Sequence, residues 1–285
     1  MEGELWNETE RIVREVGRDF QRKRVQYSDA DIGLVYLWSV LHDRPVCWAC
    51  QWENWPAERH PERIPCPSTM SVRLRSESVR TLLAAVESRL RTGFGTGWCK
   101  WIDGLPMPVG GSTHDPEARY GRGAGVMAKG YKLHAICDAR GAFDAWAVAS
   151  LNVNEQVVAG DLIPRLTGEG YLVGDGEYDA NRLFDLAGRQ GFQLIAPHQK
   201  GTQLGHRRHS PYRLRCRELL GRPFGQALLR SRYGIDRFFG QMGNFGGGLS
   251  PLPHWVRGLH RVRLWLEGKI ILNAVRLSLN QRRAA

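Results

Sequence analysis

Apolar positions change their spacing partway along this chain of 285 residues. Residues 28–43, "SDADIGLVYLWSVLHD", open on a serine with acids in the first turn and then run apolar. That is the start signal of a buried helix. In residues 68–91, Val72, Val79, Leu82, Leu83, Val86 and Leu90 recur at helical spacing, while Arg73, Arg75 and Arg80 project elsewhere. A Pro- and Trp-rich connector joins the two helices, and "RTGFGTG" (91–97) closes the segment.

After this break the pattern turns strand-like. "WCKWIDGLPMPV" reads as a short apolar strand ending in an acid. "GRGAGVMAKG" reads as a flexible connection, because it lacks the Gly-Lys-Ser/Thr ending of a phosphate loop. Two β-type runs then flank "DARG", a hairpin turn signal. Helical text at "EQVVAGDLIPRL" leads to the strand "YLVGD", the helix "ANRLFDLAGRQG" and the strand "FQLIAP". The order predicts a mixed α/β layer on a central sheet, preceded by a small all-helical region.

Charge adds a partner class. Forty Lys and Arg against 29 Asp and Glu give a net charge of +11, and the pI is near 9.7. Such a balance favours an anionic partner, nucleic acid first. Two helices joined by a loop, the second carrying early arginines, fit a helix-turn-helix-like reader of DNA; an ordinary amphipathic surface helix fits as well. No apolar run approaches membrane-spanning length, and the charged, amphipathic N-terminus is no signal peptide, so a cytoplasmic, nucleoid-associated protein without membrane partners is expected. Six scattered cysteines suit reduced thiols. Cys47-x2-Cys50 with His60 and Cys66 has the spacing of a zinc site, but Trp48 and the prolines favour a plain connector.

The acids carry the candidate chemistry. Asp103 ends one strand and Asp175 another, and side chains at strand ends of open sheets collect at one edge. Asp236 lies in "RSRYGIDRFFGQMGNFG", whose Ile235, Phe238 and Phe239 mark a helical apolar face. Three carboxylates among many cations match a hard divalent metal such as Mg²⁺. Taken singly, Asp103-Gly and Asp175-Gly are also turn dipeptides. Glu177 and Asp179 are close enough to tune Asp175, with Asp179 expected to cap the helix near Ala180; Glu267 is the reserve third carboxylate. Lys132 and His134 alternate on their strand and so share one face, towards the active site, DNA or plain solvent.

These segments, in this order, resemble the DDE-type transposases of bacterial insertion sequences. "WIDGLPMPV" is similar to the strand bearing that family's first aspartate, and "AKGYKLHAICDARGAFDAWAVASLNVNE" to its Gly-Tyr-Lys-Leu-His hairpin block. "VGDGEYDANRLFDLAGRQGFQLIAP" resembles the second-aspartate block, and "RYGIDRFFGQMGNFG" the final Arg-x3-Glu block. The resemblance implies an RNase H-like mixed sheet with flanking helices over 96–285, with a short basic insertion near 198–228; the residues before it are expected to form the small, helix-turn-helix-like DNA-binding region, over 1–95. It implies Asp103, Asp175 and Asp236 as catalytic, metal-binding residues and Arg232 as a contact to DNA phosphate. The third acid is Asp where most members have Glu, Leu229 replaces the family's Tyr, and Gly243 its Lys.

By the same resemblance the protein would cut DNA at element ends with metal-activated water and join the 3′-hydroxyl to target DNA. Two Mg²⁺ ions (Mn²⁺ as substitute), double-stranded DNA and a homo-oligomer on that DNA are implied. The alternatives are a transposase-derived DNA-binding protein that no longer cuts and a non-transposing metal nuclease. Further DNA contacts are expected at Arg73, Arg75, Lys132, His134 and the basic stretch with Arg207, Arg208 and Arg213, for which a solvated charged face is the rival reading.

Overall fold

A computed structural model describes residues 2–20, 25–94, 97–123, 125–198, 209–243 and 248–284. Arg207 and Arg208, with most of the basic stretch around them, lie outside the described residues. The chain divides into two compact units. One holds residues 1–94, 242–248 and 264–285, the other 95–241 and 249–263.

The first unit is helical, with α1 (Glu2–Gly17), α2 (Asp29–Leu41), α3 (Val46–Ala49), α4 (Pro67–Arg73) and α5 (Glu77–Thr92). Helix α2 starts as its sequence dictates. The Ser28 hydroxyl accepts from the Asp31 amide and the Asp31 carboxylate accepts from the Ser28 amide, a reciprocal cap. Its apolar run is buried nearly throughout, around Trp6, Trp38 and Trp55, whose rings pack edge-on and stacked.

The helix expected over 68–91 is two helices. Leu74 and Arg75 form a turn, and Ser76 starts α5. The Ser76 hydroxyl donates to the Arg73 carbonyl, so this serine serves the end of α4. Arg73 is not a free cation, contrary to its expected role on DNA. Its guanidinium bonds Asp29 at 2.5 Å and the Tyr27 carbonyl at 3.0 Å. A buried carboxylate requires such a partner, and Arg73 supplies it. Arg75 is exposed. Cys47, Cys50 and Cys66 are free thiols, and the His60 ring nitrogen lies 2.8 Å from the Trp55 carbonyl.

The second unit is built on one sheet: β1 (Cys99–Pro108), β2 (Arg119–Gly123), β3 (Val126–Asp138), β4 (Phe143–Ser150), β5 (Gly170–Val173) and β6 (Phe192–Ile195). Helices α6 (Glu155–Leu162), α7 (Asn181–Arg189), α8 (Pro211–Leu220), α9 (Pro223–Ser231) and α10 (Tyr233–Gly243) flank it. β3 pairs antiparallel with β1 on one edge and with β4 on the other; β1 and β6 flank β5, both parallel to it. This is the RNase H-like mixed sheet, in which α6 joins β4 to β5 and α7 joins β5 to β6.

The glycine-rich stretch is sheet, not loose connection. β2 pairs with the first residues of β3, from Arg119 opposite Gly130 to Gly123 opposite Val126. Glycine is needed there for close approach: a Cβ on Gly121 would stand 2.3 Å from the Leu151 carbonyl oxygen, and one on Gly130 2.4 Å from that of Met107. Asp115 ties residues 249–263 to the same sheet, accepting from the Tyr131 hydroxyl at 2.8 Å and from the Gly258 amide at 2.9 Å.

The last helix, α11 (Leu259–Ala284), differs from its expected membership. From residue 264 it belongs to the helical unit, not to the catalytic domain. The cause is packing. Gly268 brings the helix so near α2 that a Cβ there would lie 3.0 Å from Val40, and Arg282 bonds Glu8 at 2.6 Å. Glu267 is buried in this unit, where its charge acts on Tyr36.

Candidate active site

Register explains why Asp103 and Asp175 meet. β1 and β5 are parallel, with Trp101 opposite Val173. Two residues further along each, Asp103 and Asp175 stand level, just past the C-terminal end of β5. β1 runs on to Pro108 without a β5 partner, so the sheet opens at this point. The strand-to-turn change at Asp175 is fixed by its own side chain, whose Oδ1 accepts from the Glu177 amide at 2.9 Å. Asp103 Oδ1 accepts from the Gly104 amide at 2.7 Å.

A guanidinium from the third block reaches both carboxylates. Arg232 Nη1 lies 3.5 Å from Asp103 Oδ2 and 3.7 Å from Asp175 Oδ2. Trp101, two residues before Asp103 and therefore on the same face of β1, places it. Its indole N–H donates to Ser231 Oγ at 3.0 Å, and its ring lies where a Cβ on Gly234 would be, 2.4 Å away. The turn from α9 to α10 is thus seated on β1, and Arg232 points along the strand.

Burial pushes the Asp103 carboxyl up to about 6, aided by the charges of Asp175 and Glu155 and opposed by the Gly104 amide and Arg232. Asp175 is also raised, first by burial and then by Glu155, against the Glu177 amide, Arg232 and Lys132.

Asp236 makes no hydrogen bond to this pair among the described residues. It is exposed on α10, one turn after Arg232, and among the described residues it makes no ion pair with any side chain of the centre. The carboxylate that neighbours Asp103 and Asp175 is Glu155, the first residue of α6, behind the Asn154 cap. Sequence reasoning missed it. The available signal was an acid directly after a helix cap, at the end of the hairpin block.

Other expected contacts to DNA are buried or ion-paired here. Lys132 is 9% exposed and donates to Glu155 Oε1 at 2.6 Å. His134 is 1% exposed, and burial lowers its pKa to about 4. Both lie on β3, a central strand whose other edge is closed by β4 and on which α6 packs. Arg213 makes two bonds to Asp179, at 2.7 and 2.6 Å, and His198 Nδ1 lies 2.7 Å from the same carboxylate. Asp179 therefore does not cap α7; the cap position belongs to Ala180, whose side chain makes no such bond.

The family model of the transposase DDE domain matches residues 95–271, more than half of the chain. The chain belongs to the transposase DDE domain family. The DDE domain match spans every strand of the sheet and all residues of the centre described above. A solved piggyBac transposase, in a synaptic complex with hairpin DNA, is similar in fold at a TM-score of 0.50 and 11% identity, over 97% of this chain and 73% of that one. No curated protein matches the chain.

Proposed function

We propose that this chain is a metal-dependent DNA transposase with Asp103 and Asp175 at its catalytic centre. The observation that carries the reading is the level placement of these two carboxylates past the open end of β5, with one guanidinium reaching both. Membership of the DDE family and the DNA-bound state of the piggyBac relative support it.

The donor set fits the divalent ion that the family implies. Two carboxylates held above their ordinary range by burial and by neighbouring acids, despite Arg232, would be eased by a further positive charge, and hard oxygen donors suit Mg²⁺ or Mn²⁺. Among the described residues, no group of three or more His, Cys, Asp or Glu forms a ready-made metal cage. Asp103 and Asp175 would hold the ion, Asp103 fixed in orientation by the Gly104 amide and Asp175 by the Glu177 amide.

A bound divalent ion supplies an activated water and charge neutralisation at the scissile phosphate. Arg232 serves the same phosphate: its guanidinium, weakly held at 3.5 and 3.7 Å, is free to exchange carboxylate oxygens for phosphate oxygens. Cleavage at element ends leaves a 3′-hydroxyl, which the same pair of carboxylates positions against target DNA. The net positive charge of the chain favours a duplex partner.

The test uses labelled DNA carrying the repeats that flank the gene, incubated with Mg²⁺ or Mn²⁺. Wild-type protein should release 3′-hydroxyl ends and join them to a second duplex, and Asp175→Asn should do neither. The exposed position of Asp236 favours a second reading, a DNA-binding protein that no longer cuts. Retarded but uncut DNA under all metal conditions would establish that one.

A further inference from the structure

We propose that the ribbon formed by β2 and the first residues of β3 is a docking arm for duplex DNA. It would hold the phosphate backbone about six to eight base pairs away from Asp103 and Asp175. The inference rests on the DNA partner of the reading above, not on its cutting step.

Register gives the ribbon two unlike faces. Residues directly opposite one another in an antiparallel pair point to the same side. Tyr120 opposite Lys129 and Arg122 opposite Met127 therefore share one face, while Gly121 opposite Ala128 and Gly123 opposite Val126 belong to the other. The glycine face is pressed onto the body of its unit. A Cβ on Gly123 would stand 2.9 Å from Pro106 Cβ, and one on Gly121 would meet the Leu151 carbonyl. The ribbon thus lies flat on a fixed support and turns its other face outward. That face is open: Tyr120 is 59% and Met127 66% exposed, and Arg122 is exposed beside them. Arg119 is exposed at the base of the ribbon, and Val126 at its tip.

Charge selects the occupant. Arg119 and Arg122 form no ion pair among the described residues, and Lys129 Nζ donates to a neutral group, the Thr113 carbonyl, at 2.7 Å. No acid occurs in the chain between Glu117 and Asp138. Arg73, Arg213 and Lys132 are each matched by a carboxylate, whereas these three cations keep their charge for a polyanion. The ribbon also stands at the end of the sheet, where β2 has β3 on one side and no strand on the other. A two-stranded ribbon fits a groove of B-DNA, and exposed apolar side chains among cations suit the sugars and base edges there.

The same register fixes the distance to the catalytic pair. β3 carries the ribbon to Ala135, which stands opposite Asp103. Lys129 and Met127 precede Ala135 by even numbers of residues, so they lie on the side of the sheet that carries Asp103. At roughly 3.4 Å per residue they are about 20–27 Å along the strand, or about six to eight base-pair steps of a duplex. DNA with a phosphate at Asp103 and Asp175 therefore extends as far as the ribbon.

Binding of the full-length chain to a duplex carrying the repeats that flank the gene, followed by fluorescence anisotropy across a salt series in EDTA, tests the arm without cutting. Each variant is checked for folding by circular dichroism. Replacing both arginines, Arg119→Ala with Arg122→Ala, should make the slope of log K against log salt shallower by about 2 and lower affinity at least about tenfold near 0.1 M salt. Arg119→Lys with Arg122→Lys should keep the wild-type slope, since the charges remain. Duplexes shortened stepwise from either side of the cleaved phosphate then locate the contact. Wild type should lose affinity once one side is trimmed below about six base pairs, and the double alanine variant should not respond to that trimming. A wild-type slope in the double alanine variant overturns the proposal, and so does trimming that weakens both proteins alike. A double alanine variant that keeps the slope but sediments at a lower mass than wild type would make the ribbon a contact between copies of the chain, which also overturns it. Wild-type protein that binds no duplex at all removes the DNA reading of the whole chain, a failure distinct from that of the ribbon.

Discussion

The indole N–H of Trp101 donates to the hydroxyl of Ser231 at 3.0 Å, and that hydroxyl in turn donates to the Leu228 carbonyl at 2.6 Å. A strand residue two positions before Asp103 thus anchors the residue immediately before Arg232. Removing the hydroxyl by Ser231→Ala leaves a largely buried indole N–H without its acceptor, which costs about 1–3 kcal/mol. The turn between α9 and α10 loosens with it, and Arg232 loses its fixed approach to Asp103 and Asp175. DNA cleavage should fall further than DNA binding does, as measured by end release against mobility shift on the same duplex. Equal losses in both would mean that the anchor only stabilises the fold.

The carboxyl of Asp103 predicts a pH dependence of stability with a definite sign. Its pKa in the folded protein, about 6, lies above the ordinary value of 3.8. Between these values the folded state binds more protons than the unfolded state, so stability falls as pH rises through that window. Without metal, ionised Asp103 costs on the order of 3 kcal/mol above pH 6. Asp103→Asn keeps an acceptor for the Gly104 amide and removes the charge. Urea unfolding in EDTA should show the variant more stable than wild type at pH 7.5, with the difference closing towards pH 4. A wild type that is the more stable of the two at pH 7.5 would contradict the strained, metal-seeking carboxylate described here.

The two arginines at the end of α4 separate structural from functional charge. Arg73 neutralises the buried Asp29, so Arg73→Ala removes that counter-charge and should destabilise by roughly 3–5 kcal/mol. Arg75 is exposed, and Arg75→Ala should change stability by less than about 0.5 kcal/mol. Any loss of DNA binding in Arg75→Ala then reports contact directly. The slope of log K against log salt should drop by about 1 if one phosphate contact is lost. An unchanged slope removes Arg75 from the interface.

What the sequence revealed, and what it concealed, follows the range of the forces involved. α2 was legible because its cap, first-turn acids and apolar run are neighbours in the chain. β1, the hairpin of β3 and β4, and the repeat of strand, helix and strand through β6 were legible for the same reason: period and turn chemistry are local. Asp175 followed from a strand end; Asp103, expected at the end of its strand, lies inside β1 and meets Asp175 because β5 stops beside it. β2 was hidden because its glycines signal looseness, whereas here they admit the Leu151 and Met107 carbonyls. The break at Leu74 was hidden by an apolar period that runs across it. Arg73, Arg213 and Lys132 read as free cations, since the acids that claim them lie 44, 34 and 23 residues away in the chain. Glu155 looked like any first-turn acid, because only folding sets it beside Asp103.

Tyr178 offers a test of the centre that alters no charge. Its hydroxyl is buried and unpaired in the metal-free fold, a cost of about 1 kcal/mol or more that Tyr178→Phe removes without leaving a cavity. The metal-free variant should therefore be more stable than wild type by about 1 kcal/mol in urea unfolding. The same hydroxyl stands beside the charges of Glu155, Asp103 and Asp175, so its loss should weaken Mn²⁺ binding at that centre and slow strand cleavage. Stability and function are expected to move in opposite directions, a separation that a purely structural tyrosine does not produce. If Tyr178→Phe is instead less stable and binds Mn²⁺ as tightly as wild type, the hydroxyl has another partner in solution and does not serve that centre.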